Sequence, residues 1–516
     1  MTGFDAPQPK FTDILALHGK WLGDKPALVM GERLLDWRSF DATQNQVANG
    51  LIALGVSKGD RVALITDNSI EMLEAMFGIL RAGAVIVPLN LAVAPEGMQA
   101  MLQDSAVSAV FVSAPHAGRM DAVCRALPSI QPGGRIIIGG QADGWTSYDD
   151  WRDGQSSDNP GVETDDDDLF NIIYSSGTTG LPKGIAHTQS RRLAFARDLG
   201  MTCRFDTQAR TLVNIGLYSN ISMSSALFTL LVGGTVHIHE GFSPLAVLDT
   251  IQKHRITHLF MVPIQFQMIW EMDGFDDYDL SSLKCLLSVG SALHLELKQK
   301  LLTSVGQIVI EAYGLTEGPL TVIDGEDCVR LLGSVGKPIF GTDIRIINGD
   351  GVEVPAGIDG EIVGRGPHNM PYYYNNPTAT EDSTWVSPEG DKWLKTGDLG
   401  RLDEDGFLYI VGRLKDMIVS GGQNIYPSDI EAVMITHPDV NDVAVIGVPH
   451  EKWDETPFAI VVPEPGSSPD AAAITDWVNQ RVGKRQRITG VDFATELPRN
   501  PNGKILKRVL REPYWG

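Results

Sequence analysis

The chain has 516 residues, of which 43% are hydrophobic and 21% are charged, a composition typical of globular enzymes and not of disordered or fibrous proteins. Its length favours two or more domains. Lys and Arg number 42 against 65 Asp and Glu, which gives a net charge of −23. This balance argues against a nucleic acid or an anionic membrane surface as a partner, because both attract basic faces.

From Leu35 onward, helical and strand-like segments alternate. Helical spacing over residues 44–54 precedes a predicted strand at 61–66, and the apolar stripe from Ile70 to Leu80 precedes another at 84–89. Further predicted strands cover residues 109–112, 135–138, 169–174, 235–239, 258–262, 285–289 and 308–312. Strands this apolar, separated by helices, predict parallel sheets covered on both faces.

The pattern changes after about Gly333, where Gly and Pro become frequent. Short alternating segments at 343–347, 361–363 and 407–411 predict a β-rich subdomain. A last α+β unit has predicted helices at 429–435 and 471–482 and predicted strands at 443–448 and 458–462. We therefore expect an α/β fold with a large N-terminal domain of residues 1–414 and a small C-terminal domain of residues 415–516.

The cysteine pattern and the apolar runs bear on the compartment. Four cysteines are scattered without metal-ligand spacing, which indicates a reducing environment. No apolar run is long enough to span a bilayer, and the first ten residues do not resemble a signal peptide. We expect a cytoplasmic protein that does not insert into membranes.

The stretch of residues 174–185 reads Tyr-Ser-Ser-Gly-Thr-Thr-Gly-Leu-Pro-Lys-Gly-Ile and follows a predicted strand. Glycine lets successive N–H groups turn toward an anion, and the hydroxyls and Lys183 add donors and charge. It is not a P-loop, because Gly184 and not Ser or Thr follows the lysine. The predicted phosphate-binding residues are Ser175, Ser176, Gly177, Thr178, Thr179, Gly180 and Lys183.

This stretch resembles the phosphate loop of the AMP-forming adenylating enzymes, which include acyl- and aryl-CoA synthetases, peptide-synthetase adenylation domains and luciferases. The resemblance extends over roughly residues 30–510 and is strongest toward acid–CoA ligases. It implies that an organic acid is activated with ATP to acyl-AMP and pyrophosphate, and that the acyl group then passes to coenzyme A. ATP, Mg²⁺ and coenzyme A are the implied cofactors and co-substrates.

Two further motifs extend the resemblance to residues that would bind the nucleotide. In Tyr313-Gly-Leu-Thr316-Glu317, it implies that Tyr313 faces adenine, Thr316 binds phosphate and Glu317 holds Mg²⁺. It also implies that Asp398 binds the ribose and that Arg413 contacts ribose or phosphate. Further ATP- or AMP-binding residues implied by the same pattern are Gly290, Ser291, Glu311, Ala312 and Gly314. Close loop packing remains an equal alternative for Gly290 and Ser291.

The resemblance assigns Lys504 to catalysis, as the amine that bridges the carboxylate and the α-phosphate. It implies a mobile C-terminal domain that rotates between the two half-reactions, with Lys415 at the hinge. Gly421 and Gly422 would then border the coenzyme A channel, with a plain β-turn as the alternative reading.

The acyl pocket departs from the family pattern. Residues 216–219 read Gly-Leu-Tyr-Ser where many relatives have Pro-Leu-Phe-His. The small Ser219 favours a bulky acid, either aryl, arylalkanoic or medium-size acyl. No Asp lies within residues 217–225 to hold an ammonium group, which argues against amino acids. The expected pocket residues are Tyr218, Ser219, Asn220, Met261, Val262 and Pro319.

The sequence leaves some alternatives open. A stand-alone adenylation enzyme that loads the acyl group onto a carrier-protein pantetheine would have the same motifs. A non-catalytic nucleotide sensor would be expected to lack Lys504 or Glu317, and both are present. The small-molecule partners are the acid, ATP and coenzyme A, and a homodimer remains open.

Overall fold

The structure is a computed structural model, and it describes residues 8–175, 182–420, 423–499 and 504–515. The first part of the chain alternates helices and strands, as predicted. Its elements are α1 (Phe11–Trp21), β1 (Pro26–Met30), β2 (Arg33–Asp36), α2 (Trp37–Ala53), β3 (Arg61–Ile65), α3 (Ile70–Arg81), β4 (Val85–Pro88), α4 (Pro95–Ser105), β5 (Ala109–Ser113), α5 (Ala114–Arg125), β6 (Arg135–Ile138), β7 (Thr146–Ser147), α6 (Tyr148–Asp153) and β8 (Leu169–Ser175).

The second part continues the alternation. Its elements are β9 (Lys183–Thr188), α7 (Gln189–Thr202), β10 (Arg210–Val213), α8 (Asn220–Leu231), β11 (Thr235–Ile238), α9 (Pro244–His254), β12 (His258–Met261), α10 (Pro263–Trp270), β13 (Cys285–Ser288), α11 (Leu295–Val305), β14 (Val309–Gly314), β15 (Leu320–Ile323), α12 (Gly325–Arg330) and β16 (Lys337–Pro338). Short 3₁₀ helices at Phe275–Asp277 and Gly306–Ile308 precede β13 and β14.

These strands form two sheets that are mostly parallel, which confirms the predicted class. One sheet has seven strands in the order β7-β6-β5-β3-β4-β8-β9, and the other has nine in the order β16-β15-β14-β13-β12-β10-β11-β1-β2. One continuous apolar cluster contacts strands of both sheets and includes Phe40 of α2, Phe77 of α3 and Phe228 of α8. Burial of such large side chains contributes about 1.5–3 kcal/mol each, so this shared core fixes one sheet against the other.

The β-rich part follows as an antiparallel sheet. Its elements are β17 (Asp343–Ile347), β18 (Gly360–Arg365), α13 (Pro377–Asp382), β19 (Thr384–Val386), β20 (Lys392–Leu402) and β21 (Leu408–Arg413). The strand order is β17-β18-β20-β19, and β21 pairs with β20. The predicted β-rich subdomain is confirmed, and its last strand ends at Arg413, immediately before a 3₁₀ turn at Leu414–Asp416.

The last part has its own sheet and core. Its elements are β22 (Ile418–Ser420), β23 (Gln423–Ile425), α14 (Pro427–Met434), β24 (Val440–His450), β25 (Asp454–Pro463), α15 (Ala471–Asn479), β26 (Val491–Phe493) and α16 (Lys507–Trp515). Ile430, Val445, Val461 and Val478 are buried together between this sheet and its helices. Among the described helices of the whole chain, none combines the length and the apolar character needed to cross a bilayer.

Candidate active site

The predicted phosphate loop joins two strands of an antiparallel hairpin. In the β8–β9 pair, Ser175 lies opposite Lys183 and Tyr174 lies opposite Gly184. The hairpin register therefore brings the first and last predicted phosphate ligands together at the mouth of the loop. The loop itself lies outside the described residues, so the assignments of Ser176, Gly177, Thr178, Thr179 and Gly180 stay predictions.

Lys183 and Glu317 meet at Tyr373. The Lys183 ammonium lies 5.0 Å from the centre of the Tyr373 ring, and the Tyr373 hydroxyl donates a hydrogen bond of 3.0 Å to Glu317 Oε1. Burial raises the pKa of Glu317, while the Tyr373 hydroxyl and the charges of Arg413 and Lys183 oppose that rise. The site thus holds a half-buried carboxylate, and a cation close to it would stabilise its charged form.

Asp398 is the centre of a second group of contacts. Its Oδ2 accepts a 2.8 Å hydrogen bond from the Tyr313 hydroxyl, and its Oδ1 lies 3.0 Å from Arg413 Nε. Asp398 and Arg413 are direct partners in the β20–β21 register. The turn before Asp398 is built locally, because Gly397 adopts a φ of 69° and the Asp398 N–H donates to Thr396 Oγ1 at 3.0 Å. The Asp398 carboxylate at this turn therefore faces Tyr313, near the end of β14.

Lys504 lies in the electrostatic field of the same group. Its pKa is lowered from 10.5 to about 8, mainly by burial and also by the charges of Arg413 and Lys415, while Asp398 and Asp416 act in the opposite direction. The amine is therefore within electrostatic range of residues 398 and 413 although it belongs to the last part of the chain. An ammonium with this pKa remains mostly charged at neutral pH, as an anion-bridging role requires.

Glu311 forms a buried ion pair with Lys298. Its Oε2 lies 2.9 Å from Lys298 Nζ, and its Oε1 accepts a 3.3 Å hydrogen bond from the Leu293 N–H. The side chain of Lys298 is fully buried and also donates to the Leu332 carbonyl at 2.9 Å. These contacts tie the loop after β13 to β14, so the carboxylate of Glu311 is occupied, and its assignment to ATP stays a prediction.

The other residues assigned to the nucleotide lie near the ends of β13 and β14. Gly290, just after β13, has a φ of 97°, which favours glycine, and Ser291 beside it is half-buried. Ala312 and Gly314 belong to β14 and pair with Val322 and Leu320 of β15. The carboxyl ends of parallel strands meet at one edge of a sheet, so Gly290 and Tyr313 lie at the same edge.

A buried polar network connects Thr316 to the hairpin and to α8. The Thr316 carbonyl is 2.9 Å from His187 Nε2, and His187 Nδ1 is 3.3 Å from Arg192 Nη2. Arg192 also donates to Asn171 Oδ1 at 2.6 Å and to Asn220 Oδ1 at 2.8 Å. One guanidinium thus links the strand before the phosphate loop, the loop of Thr316 and the predicted acyl pocket.

The predicted acyl-pocket residues fall into two groups. Ser219 is buried and begins α8, its hydroxyl accepting from the Ile221 N–H, while Tyr218 and Asn220 beside it are half-buried. Met261, the last residue of β12, and Val262, which precedes α10, are buried, and Pro319 packs against Gly364 of β18. The first group is thus partly exposed, and the second is buried in the interior. Their roles toward an acid stay predictions.

The hinge and channel assignments concern the turn after β21. Lys415 lies in the 3₁₀ turn Leu414–Asp416, and burial lowers its pKa while Asp416 opposes that change. Gly421 and Gly422 lie outside the described residues. Both assignments stay predictions.

The sequence analysis did not single out Tyr373, His187 or Arg192. Tyr373 belongs to three consecutive tyrosines at positions 372–374, an aromatic run that could have drawn attention. For His187 and Arg192 the chain offers no motif, because their role comes from contacts with residues distant in sequence.

The chain is similar to known proteins over nearly its whole length. The family profile "AMP-binding enzyme" matches residues 18–374, and "AMP-binding enzyme C-terminal domain" matches residues 429–504. Similar curated proteins include the long-chain-fatty-acid–CoA ligase FadD13 of Mycobacterium tuberculosis, 34% identical over 485 residues and 93% of each chain. A feruloyl-CoA synthase of Amycolatopsis sp. is 34% identical over 94% of this chain and 95% of its own.

Among solved structures, two crystals of MatB from Rhodopseudomonas palustris are informative as a pair. Both are 28% identical to this chain and cover 98% of it and 99% of their own chain. The ATP-bound crystal superimposes with a TM-score of 0.88 and the apo crystal with 0.77. As a whole, this chain therefore superimposes better on the ATP-bound crystal.

Proposed function

Because this chain belongs to the family of AMP-binding enzymes, we infer that its reaction is the two-step, AMP-forming ligation of a carboxylic acid to coenzyme A. In the first step a carboxylate oxygen attacks the α-phosphorus of ATP and pyrophosphate leaves. In the second step the sulfur of coenzyme A attacks the acyl carbon, and AMP leaves with the bonding electrons. The single observation that carries this assignment is that Lys504 interacts electrostatically with the Asp398–Arg413 pair.

Each part of the site has a role in the first step. We propose that Asp398 accepts the ribose hydroxyls and that Tyr313 and Arg413 hold its carboxylate in place. Lys183 and Lys504 supply positive charge on two sides of the phosphates. Two anions must approach each other for the bond to form, and preorganised cations lower that barrier without reorganising during the reaction.

The residues present fit a magnesium ion that is shared with ATP. Glu317 offers a half-buried carboxylate whose charged form a cation would stabilise, and Mg²⁺ usually binds through one or two carboxylates plus substrate phosphates. In the described part of the chain no cluster of three or more His, Cys, Asp or Glu forms a complete metal cage, which is consistent with such sharing. We propose that Glu317 holds the ion, which neutralises triphosphate charge, while Tyr373 orients the carboxylate.

We propose that the acid is bulky, with an aryl, arylalkanoic or medium-size acyl body. Ser219 leaves space at the start of α8, where a histidine would be larger. The feruloyl-CoA synthase among the relatives acts on an aryl acid and FadD13 on a fatty acid, and both names support coenzyme A as the acceptor over a carrier protein. The proposal leaves open whether the chain forms a homodimer.

We further propose that residues 1–414 and 415–516 form two domains joined at Leu414–Asp416, with Lys415 as the hinge. The separate core around Ile430 and Val445 supports the division. The higher TM-score to the ATP-bound relative supports an adenylating arrangement, in which Lys504 approaches the nucleotide site. Thioester formation then requires the smaller domain to rotate and bring the Gly421-Gly422 segment to the acyl group.

Acid-dependent exchange of radiolabelled pyrophosphate into ATP tests the first step. The panel contains aryl, arylalkanoic and medium-chain acids, with and without Mg²⁺. We expect exchange with at least one aryl or arylalkanoic acid, and its loss when a chelator removes the metal. Supplying coenzyme A or a phosphopantetheinylated carrier protein to the acyl-AMP then identifies the acceptor. Absence of exchange with every acid would contradict the proposed function.

A further inference from the structure

Arg192 of α7 is a buried cation with neutral partners. Its side chain is 2% exposed, and its hydrogen bonds run from Nε to Asn171 Oδ1, from Nη1 to Asn220 Oδ1 and from Nη2 to His187 Nδ1. The ring of Phe195 lies 5.8 Å from the guanidinium carbon. The group is thus enclosed by amides, an imidazole and an aromatic ring.

No acidic side chain among the described residues balances this charge. Burial alone lowers the pKa of Arg192, to about 9, so the group is still charged at neutral pH. Other interior arginines in the chain are paired, such as Arg81 with Asp41 and Arg152 with Glu74. Buried charges are normally paired, because an uncompensated one is costly. An anionic or oxygen-rich group that arrives from outside would reduce this cost.

The guanidinium also fixes the orientation of both amides. Arginine has donors and no acceptor, so each asparagine must turn its carbonyl oxygen toward Arg192 and its NH₂ group away. Nδ2 of Asn171 is buried without a partner among the described residues. The side-chain amide of Asn220 bonds Arg192 through Oδ1, and Asn220 is half-buried at the start of α8. The NH₂ group of Asn220, turned away from the guanidinium, is therefore a hydrogen-bond donor at the partly exposed start of α8.

We propose that Arg192 and Asn220 are specificity-determining residues, which select acids whose acyl body carries an acceptor oxygen close to the carboxyl carbon. Asn220 donates to that oxygen, and Arg192 holds Asn220 in the donating orientation. The inference rests on the proposed acid–CoA ligase function and names the substrate class of the same site. An acid without the oxygen leaves the donor unpaired, and sites built to hydrogen-bond a substrate group discriminate strongly against analogues that lack it.

The acceptor oxygen could be neutral, as in a hydroxyl, ether or keto group, or anionic, as in a second carboxylate. The shared chemistry is acceptance of a hydrogen bond from Asn220. The charged guanidinium of Arg192 lies next to the Asn220 amide in the protein interior. The low dielectric there makes an attraction to an anion stronger than in water. The experiment therefore needs one neutral and one anionic substituent.

The test compares benzoates and phenylacetates that carry a methyl, hydroxyl or carboxyl group at the 2- or 3-position. The readout is the ratio of kcat/KM for the oxygen-bearing acid to that for the methyl acid of similar size, measured by pyrophosphate exchange. We expect this ratio to exceed about tenfold for at least one oxygen-bearing acid, which corresponds to one hydrogen bond. The better substituent, hydroxyl or carboxyl, identifies whether the natural group is neutral or anionic.

Asn220→Asp is the sharpest variant. Its carboxylate can still accept from Arg192 Nη1 and neutralises the buried charge, but it offers the substrate an acceptor in place of a donor. For the carboxyl-bearing acid we expect the ratio to fall to about one or to invert. A hydroxyl can donate to the new carboxylate, so the hydroxyl-bearing acid is tested by the next variant. Arg192→Met removes the charge and lets Asn220 turn, so the ratio is expected to fall there as well. Because each ratio compares two acids on one protein preparation, partial unfolding of a variant cancels.

An unchanged ratio for the carboxyl-bearing acid in Asn220→Asp, or for the hydroxyl-bearing acid in Arg192→Met, with exchange still proceeding, would overturn this inference and leave the proposed function intact. A wild-type ratio near one for every oxygen-bearing acid would also overturn it. Failure of the wild type to exchange with any acid would contradict the proposed function, and this inference would fall with it.

Discussion

The Tyr313 hydroxyl donates a 2.8 Å hydrogen bond to Asp398 Oδ2, across 85 residues of sequence. This bond joins the end of β14 in the nine-stranded sheet to β20 in the β-rich sheet. It fixes the carboxylate that we propose for the ribose, and Arg413 holds the other oxygen. The nucleotide site is therefore assembled between two sheets, and single bonds across that junction should affect ATP binding.

We predict that Tyr313→Phe raises the KM for ATP by about tenfold, since a hydrogen bond to a charged group contributes at least about 1.5 kcal/mol. The KM for the acid should change much less. Pyrophosphate exchange at varied ATP gives both values. Tyr409→Phe is a matched control, because Tyr409 also contacts an aspartate, Asp403, but lies on the surface. An equal rise in the control would contradict the role of the Tyr313–Asp398 bond.

The lowered pKa of Lys504 predicts an alkaline limit to adenylation. The ammonium is present below about pH 8 and is lost as the pH rises through that value. The kcat/KM for ATP reports the free enzyme, so it should fall above pH 8, where a lysine with the ordinary pKa of 10.5 would still be charged. The Lys504→Arg variant keeps its positive charge above pH 8. Its residual kcat/KM for ATP should therefore not fall in that range. A profile that stays flat to about pH 10 in the wild type would be inconsistent with the buried environment of Lys504.

Glu317 and Tyr373 provide a test of the metal assignment. Glu317→Gln removes the charge that would hold Mg²⁺, so we expect the Mg²⁺ concentration for half-maximal exchange to rise by at least about tenfold, the effect of roughly 1.4 kcal/mol. Tyr373→Phe removes the hydroxyl that orients the carboxylate, and we expect a smaller rise. Titration of Mg²⁺ at saturating ATP and acid measures both. Identical Mg²⁺ dependence in Glu317→Gln and the wild type would exclude Glu317 as the holder of the ion.

The Lys298–Glu311 pair predicts a stability effect independent of catalysis. Lys298→Met leaves Glu311 as a buried unpaired carboxylate, which should lower the free energy of unfolding by about 3–5 kcal/mol. The double variant Lys298→Met with Glu311→Leu should recover most of this loss. As a control, Arg255→Ala breaks the half-exposed pair with Asp279 and should cost at most about 1 kcal/mol. Thermal and urea unfolding measure all three. A double variant no more stable than Lys298→Met would contradict this interpretation.

The sequence predicted the large-scale fold well, because long apolar strands and their spacing are local features. The parallel sheets, the β-rich part and the final α+β unit are all confirmed. Element ends were less accurate, and the β1–β2 hairpin was missed, as it lies before the first segment with a clear pattern. The family resemblance of motifs with a fixed order led to Lys183, Tyr313, Asp398 and Lys504, and their roles stay predictions.

The sequence could not reveal contacts that exist only in the folded protein. Tyr373 meets Glu317 across 56 residues, and Lys298 meets Glu311 across a helix and a strand. Arg192 contacts three segments, none of which has a motif that points to it. In each case the partner is determined by packing of sheets and helices, so no spacing rule could have identified it.

The most direct test of the account is the Lys504→Ala variant, measured separately in each half-reaction. Lys507→Ala is the control, since Lys507 lies three residues away and pairs with Glu431. Loss of one preorganised cation should slow acid-dependent pyrophosphate exchange by about 10²–10³-fold. Thioester formation from supplied acyl-AMP and coenzyme A should stay close to the wild-type rate, and the control should retain both half-reactions. Equal loss of the two half-reactions in Lys504→Ala, or exchange at the wild-type rate, would contradict the assignment of Lys504 to the adenylation step.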